Sequence, residues 1–190
     1  AYSGFSASNY LEQPYNADLD FGTGDFSVML WASFNTSQTE MFFDRTDIAY
    51  SAARLALLHV AGEGIRLVCA ASDTSIQTYL APQDGVRALY TMVRSGGILK
   101  LYINDALKYS NANTANISNT SALLTIGVPV ERSVGYIGSI ALFRMSATAP
   151  SPEQIAKIYN DEKVLFQENA KCTLYGASDA VTALAYDDAT

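Results

Sequence analysis

Two carboxylates about 5–10 Å apart can cleave a glycosidic bond, one acting as nucleophile or base and the other as acid. The chain's 19 acidic residues offer few such pairs. Asp18 and Asp20 alternate correctly, but they lie in a Gly-rich approach to a strand with no third acid beside them. In "EMFFDRTD", Glu40 and Asp44 share one face if the segment is extended. Asp44 and Asp47 flank Arg45 there and read as solvated loop charges. His59, the single histidine, sits in the apolar run "LALLHVAG" and reads as a satisfied strand residue, not a base. There is no Gly-x-Ser-x-Gly, and one His with two distant Cys makes no zinc set. "GTGDFS" is a turn before a strand, since neither a Lys nor a helix follows it. These residues predict a chain that binds and does not catalyse.

The bulk numbers narrow the partners. A net charge of −7 with no basic cluster excludes nucleic acid, whose phosphates need cations to displace their counterions. The same charge disfavours an anionic membrane surface, and no stretch approaches the length of a transmembrane helix. Apolar residues make up 49% and charged residues only 16% of the 190. That balance, with many Tyr, Ser, Thr and Asn, is common among extracellular and virion β-proteins. Cys69 lies in the apolar run 65–71 and reads as a small buried hydrophobe; a bridge to Cys172 stays open. The abrupt start at Ala1 and the stop inside "AVTALAYDDAT" read as an excised piece of a longer protein.

The elements that would position any site are mostly strands. In "DFSVMLWASF", Phe26, Val28, Leu30, Ala32 and Phe34 share one face, opposite Ser27, Met29, Trp31 and Ser33. Further strand candidates run over 41–44, 54–60, 65–70, 77–80, 88–94, 99–104, 122–127 and 136–146. Turn signals fall between them: "GEG" at 62–64, "SGG" at 95–97 and "ND" at 104–105. About ten short strands so punctuated predict an all-β sandwich or barrel. The polar tract 110–121 reads as a loop and holds sequons at Asn116 and Asn119; Asn35 begins a third. One helix stands out, with Ser151 as N-cap, Pro152 at its first position and Gln154 completing a capping box. Ile155, Ile158, Tyr159, Leu165 and Phe166 fall near one stripe of it, as expected of a helix packed on a sheet rim.

Three segments in order carry a resemblance. "DFSVMLWASF" resembles the early strand, "YTMVRSGGILKLYINDALK" the central hairpin, and "LLTIGVPVERSVGYIGSIALFRMSATAPSPEQIAKIYNDE" the closing segment of concanavalin A-like, laminin G-like jelly-roll domains. Ala88-Leu89-Tyr90 stands where Trp-His is common before the hairpin, and Asn104-Asp105-Ala106 replaces the usual Asp-Gly turn. The resemblance implies an antiparallel jelly-roll β-sandwich over 1–167, followed by a C-terminal extension, 168–190. That extension resembles segments following such domains in bacteriophage tail and fibre proteins, where Val181, Ala183 and Ala185 would alternate along an edge strand.

The resemblance also frames function. Hydrolases of the family set their acids as Glu-x-Asp-x-x-Glu on one strand, a run this chain lacks; a glycoside hydrolase is the alternative reading, as is an adhesion module of a cellular protein. Laminin G-like domains often hold calcium at the sandwich rim through oxygen ligands, which makes Asp18, Asp20, Asp47, Asp73, Asp84 and Asp105 candidates. Loop-borne tyrosines suit sugar faces, and Tyr10, Tyr15, Tyr50, Tyr79 and Tyr109 are the candidate ligand contacts. The expected molecule is a non-catalytic virion tail or fibre module serving host-surface carbohydrate or protein attachment, or fibre assembly, with a homotrimer as the natural assembly.

Overall fold

A computed structural model describes residues 1–167, apart from 36, 51, 72–74 and 80–84, and gives only the backbone of 75–79. Two antiparallel six-stranded sheets face each other. One runs β1 (Tyr2–Ser3), β12 (Gly138–Ser146), β3 (Phe26–Phe34), β8 (Ala88–Ser95), β9 (Ile98–Ile103) and β10 (Ala106–Ala112). The other runs β2 (Leu11–Gln13), β11 (Leu123–Ile126), β4 (Glu40–Thr46), β5 (Arg54–Val60), β6 (Gly64–Ala70) and β7 (Ser75–Tyr79). This is the jelly-roll sandwich expected, and the three hairpins turn where the Gly and Asn-Asp signals stand.

Alternation along β3 divides its side chains as the sequence requires. Phe26, Val28, Leu30, Ala32 and Phe34 enter the core between the sheets, with Phe42, Leu55, Leu57, Ile65, Leu67, Tyr90, Met92 and Leu101 among their neighbours. Met29 and Trp31 emerge on the other side, into a second apolar layer with Leu89, Val93, Tyr102 and Ala141. The helix α1 (Pro152–Glu162) covers that layer. Its capping box is formed, the Ser151 hydroxyl accepting from Gln154 N–H and the Gln154 side chain accepting from Ser151 N–H. Trp31 fastens it: the indole N–H donates to Glu162 at 2.7 Å and the ring packs on Tyr159 and Phe166. Past Glu162 the chain tightens into a 3₁₀ turn, Lys163–Phe166. That change of pitch turns Leu165 outward, 65% exposed, so it leaves the stripe the sequence assigned it.

Several sequence expectations fail for local reasons. Residues 110–112 belong to β10 and not to the loop that follows. A bulge between Leu107 and Tyr109 reverses the facing of β10, leaving Leu107 exposed and driving Tyr109 into the core. Tyr109 therefore contributes packing and presents nothing to a ligand. Arg94, fully buried at the end of β8, spends its guanidinium on the carbonyls of Gly22, Gly24 and Ala115. It thereby ties the loop before β3 to the loop after β10. Asn119 is also buried, its amide donating to Ala53 O at 3.1 Å, so that sequon has no room for a glycan. Cys69 is a buried thiol whose pKa burial pushes up to about 11. Cys172, the alternating residues 181–185 and the rest of the extension 168–190 lie outside the described residues.

Candidate functional site

The expected catalytic acids separate. A bulge between Met41 and Phe43 places Glu40 opposite His59 and Asp44 opposite Ala56. His59 and Ala56 stand three apart on β5 and so face opposite ways. Glu40 thus turns toward the core and Asp44 toward the outer face of its sheet, correcting the expectation that they share a face. His59 is buried with them, its Nδ1 at 2.7 Å from Gln38 O and its ring against Phe34. Nor are Asp44, Arg45 and Asp47 solvated loop charges: all three are buried.

Asp44 is the centre of what forms on that outer face. Arg54 and Ala56 share a face of β5, and Ala56 lies directly across from Asp44, so Arg54 is its diagonal neighbour. Its guanidinium grips both carboxylate oxygens, Nε to Oδ1 at 2.8 Å and Nη2 to Oδ2 at 3.0 Å. Burial pushes the Asp44 carboxyl above its usual value of 3.8, against the pull of Arg54 and of the Val130 N–H, while Glu131 adds to the rise. The Tyr50 hydroxyl meets Asp44 Oδ2 at 3.2 Å and also meets Glu131 Oε2. Beneath the Tyr50 ring the Arg54 guanidinium lies 4.6 Å from the centroid. Tyr50 adopts φ +51, a left-handed backbone that costs a bulky residue roughly 1–3 kcal/mol. The turn closed by its N–H to Asp47 O at 3.0 Å holds it there.

The opposite wall comes from the loop between β11 and β12. Gly127, at φ +79, lets that loop fold back where a Cβ would strike the Phe5 ring. Tyr136 pins it, N–H to Gly127 O at 2.8 Å and hydroxyl to Ser33 O at 2.9 Å. A tight turn, Arg132 N–H to Pro129 O, then sends Arg132 away to Glu12 and Tyr10 and leaves Glu131 facing Tyr50. Ser133 donates to Glu131 Oε1 at 3.0 Å. Between the walls is a groove of about 340 Å³, with Met41, Leu58 and Val134 as apolar lining and Tyr50, Arg54 and Glu131 as polar edges. Apolar surface, an aromatic ring and a few fixed hydrogen-bonding groups are what a sugar face requires. A second opening of about 340 Å³ at the sandwich edge is mainly apolar, through Leu11, Leu19, Leu124, Ile126, Phe143 and Met145, and carries Glu12, Gln13 and Arg144 as its polar groups, of which Glu12 and Arg144 are ion-paired with Arg132 and Glu162.

Of the four expected tyrosines whose side chains are described, only Tyr50 reaches this groove. Tyr10 is half-buried under Arg132, and exposed Tyr15 points its hydroxyl at Asp20, 3.4 Å away. The side chain of Tyr79 lies outside the described residues, and Tyr109 is in the core. Reading the sequence missed Arg54, Leu58, Glu131 and Val134. Arg54 had a signal, since it opens the alternation Arg54, Ala56, Leu58 on the face opposite Leu55 and Leu57. Glu131 had none.

Among the described residues the rim does not fit calcium, which takes six to eight oxygens. Asp20 Oδ1 is ion-paired with Arg45 at 3.2 Å and accepts from Asn119 N–H. Asp47 Oδ1 accepts from Ala52 N–H at 3.0 Å and from the Asn119 amide. The cation at this rim is a guanidinium. Asp18 and Asp105 are exposed and stand apart, Asp73 and Asp84 lie outside the described residues, and no group of three metal-binding side chains exists among those described.

Comparison with known proteins agrees with this fold. A family model described as the concanavalin A-like lectin/glucanases superfamily matches residues 5–156. No curated protein sequence matches the chain. Domain 4 of AbnA, an extracellular arabinanase from Geobacillus stearothermophilus solved with arabinotriose, superposes with TM-score 0.60 at 17% identity, over 83% of this chain and 86% of that one. The botulinum neurotoxin serotype D binding domain gives 0.63 at 15%, over 85% of this chain and 42% of the other. The binding domain of botulinum neurotoxin DC in complex with SialylT gives 0.61 at 13%, over 80% and 39%. The chain spans about two fifths of the toxin binding domains it resembles.

Proposed function

The chain belongs to the concanavalin A-like lectin/glucanases superfamily, and from that footing we propose that it is a non-catalytic module that seats a glycan in the groove between Tyr50 and Glu131. The observation that carries this reading is the groove itself: a half-buried tyrosine held upright over an arginine, above an apolar floor. Arabinotriose on one structural relative and SialylT on another lend it support.

The way the acids are used supports the non-catalytic reading. Hydrolysis needs two carboxylates with the scissile bond between them, plus a water in the inverting case. Here the Tyr50 hydroxyl fills the space between Asp44 and Glu131, and Arg54 occupies both oxygens of Asp44. Incubation with polysaccharides will therefore release no reducing sugar, while a glycan array will return binders. Release of sugar that Glu131→Gln abolishes would establish the hydrolase instead.

The setting we propose is extracellular, on a virion tail or fibre, where the module attaches to a host-surface glycan and assembles with further copies of itself. The low charge, the Asn- and Tyr-rich composition and the resemblance of 168–190 to tail-protein segments support it. Val164 and Leu165, exposed beside the start of that segment, supply apolar surface for packing. Light scattering on the full chain will read a trimer. A monomer at micromolar concentration would end the assembly proposal and leave the groove untouched.

A further inference from the structure

Among the described residues, the groove sets one cation, Arg54, against two carboxyls, Asp44 and Glu131. Tyr50 has a single phenolic proton but meets a carboxylate oxygen on each side, Asp44 Oδ2 and Glu131 Oε2. It can donate to only one of them. Arg54, the cation among the described lining residues, grips Asp44. Arg132, next to Glu131, is turned to Glu12, and Arg66, across from Leu58 on β6, is tied to Glu63. Glu131 is the exposed one of the two carboxyls, so it is the one a ligand can reach.

A neutral sugar cannot supply the missing charge, and a uronic or sialic acid would add to the excess. Resting on the glycan-binding reading above, we infer that the ligand carries a protonated amine: a glycan with free 2-amino-2-deoxy sugar residues. The ammonium sits against Glu131 and the Tyr50 oxygen, which then accepts from the ligand while its own proton goes to Asp44. An ammonium brings three donors and no acceptor, as this set of oxygens demands. The sugar ring lies against Tyr50 over Leu58 and Val134.

The test is calorimetric titration of the full chain with three trisaccharides: glucosamine, its N-acetylated form and a uronic acid, at a pH where the amine is charged. The amine form will bind about tenfold or more tighter than the N-acetylated form, and the uronic acid will bind weakest. A chain of net charge −7 attracts any polycation, so the decisive readout is Glu131→Gln. That change will erase the preference, so that the same variant binds the amine form and the N-acetylated form with equal affinity. Equal binding of the two by the native chain, an unchanged preference in Glu131→Gln, or tightest binding of the uronic acid would overturn the inference and leave glycan binding standing. No binding of any of the three, with the glycan array also blank, would remove the reading beneath it as well.

Discussion

Replacing Arg54 by Met will cost the domain about 3–5 kcal/mol of stability at neutral pH, because it leaves the Asp44 carboxylate buried without its guanidinium. Met keeps the length of the side chain and fills most of its volume, so the loss reports charge and not a cavity. The pH dependence gives the effect a signature. Burial already lifts the folded-state value of Asp44 above 3.8, and Arg54 opposes that lift. Removing Arg54 raises the value further. A carboxyl whose folded pKa lies above its unfolded one binds more protons in the folded state across that window. Its contribution to stability is therefore greatest below the unfolded value and is lost as pH rises through the folded one. The deficit of Arg54→Met against the native chain will thus be largest at neutral pH and will shrink as pH falls toward 3.8. Urea denaturation across that range measures it. A deficit that stays constant with pH would mean that Asp44 is protonated in the native domain. The double change with Asp44→Asn will recover most of the loss, since no buried charge then remains.

The second large effect is on binding. Tyr50→Ala removes the aromatic wall of the groove and will weaken glycan binding by about 2 kcal/mol or more, roughly thirtyfold, as central aromatic anchors do. Its effect on folding will be smaller. Tyr50 is half-buried, and its left-handed backbone is strained, so the lost packing is partly offset by a residue less hindered at that φ. Tyr50→Phe separates the two roles of the side chain: it keeps the ring over Arg54 and removes the hydroxyl shared by Asp44 and Glu131. Titration of the three proteins with a single array hit will order them native, Phe, Ala. Equal affinities for native and Ala would move the ligand out of this groove.

The sandwich was legible because its main signals are local. Alternation along 26–34 needs only a two-residue period, and the hairpins need only their Gly and Asn-Asp turns. The helix start needed only Ser151, Pro152 and Gln154. The two- and three-residue strands β1 and β2 are too short to show a period at all. Where the sequence misled about which way a strand side chain faces, a bulge is the cause. One extra residue at Phe42 separated Glu40 from Asp44, and one at Lys108 sent Tyr109 inward. Bulges leave little trace in a single sequence, because each residue on either side still looks like a strand residue. The site suffered most. It joins a strand pair to a loop some 80 positions further along, Asp44 and Tyr50 to Glu131. Such a meeting is a property of the folded sandwich and not of any one stretch.

The central claim is that the outer face of the β4–β5 sheet grips a glycan at Tyr50 and Glu131. Chemical-shift mapping on the labelled chain, titrated with a glycan that the array identifies, tests it most directly. The shifts will concentrate at Met41, Tyr50, Arg54, Leu58, Glu131 and Val134 and will saturate at one affinity. Shifts confined to the rim around Tyr15, Asp20 and Asn116, or to the edge opening around Leu11 and Phe143, would place the binding surface elsewhere and contradict it.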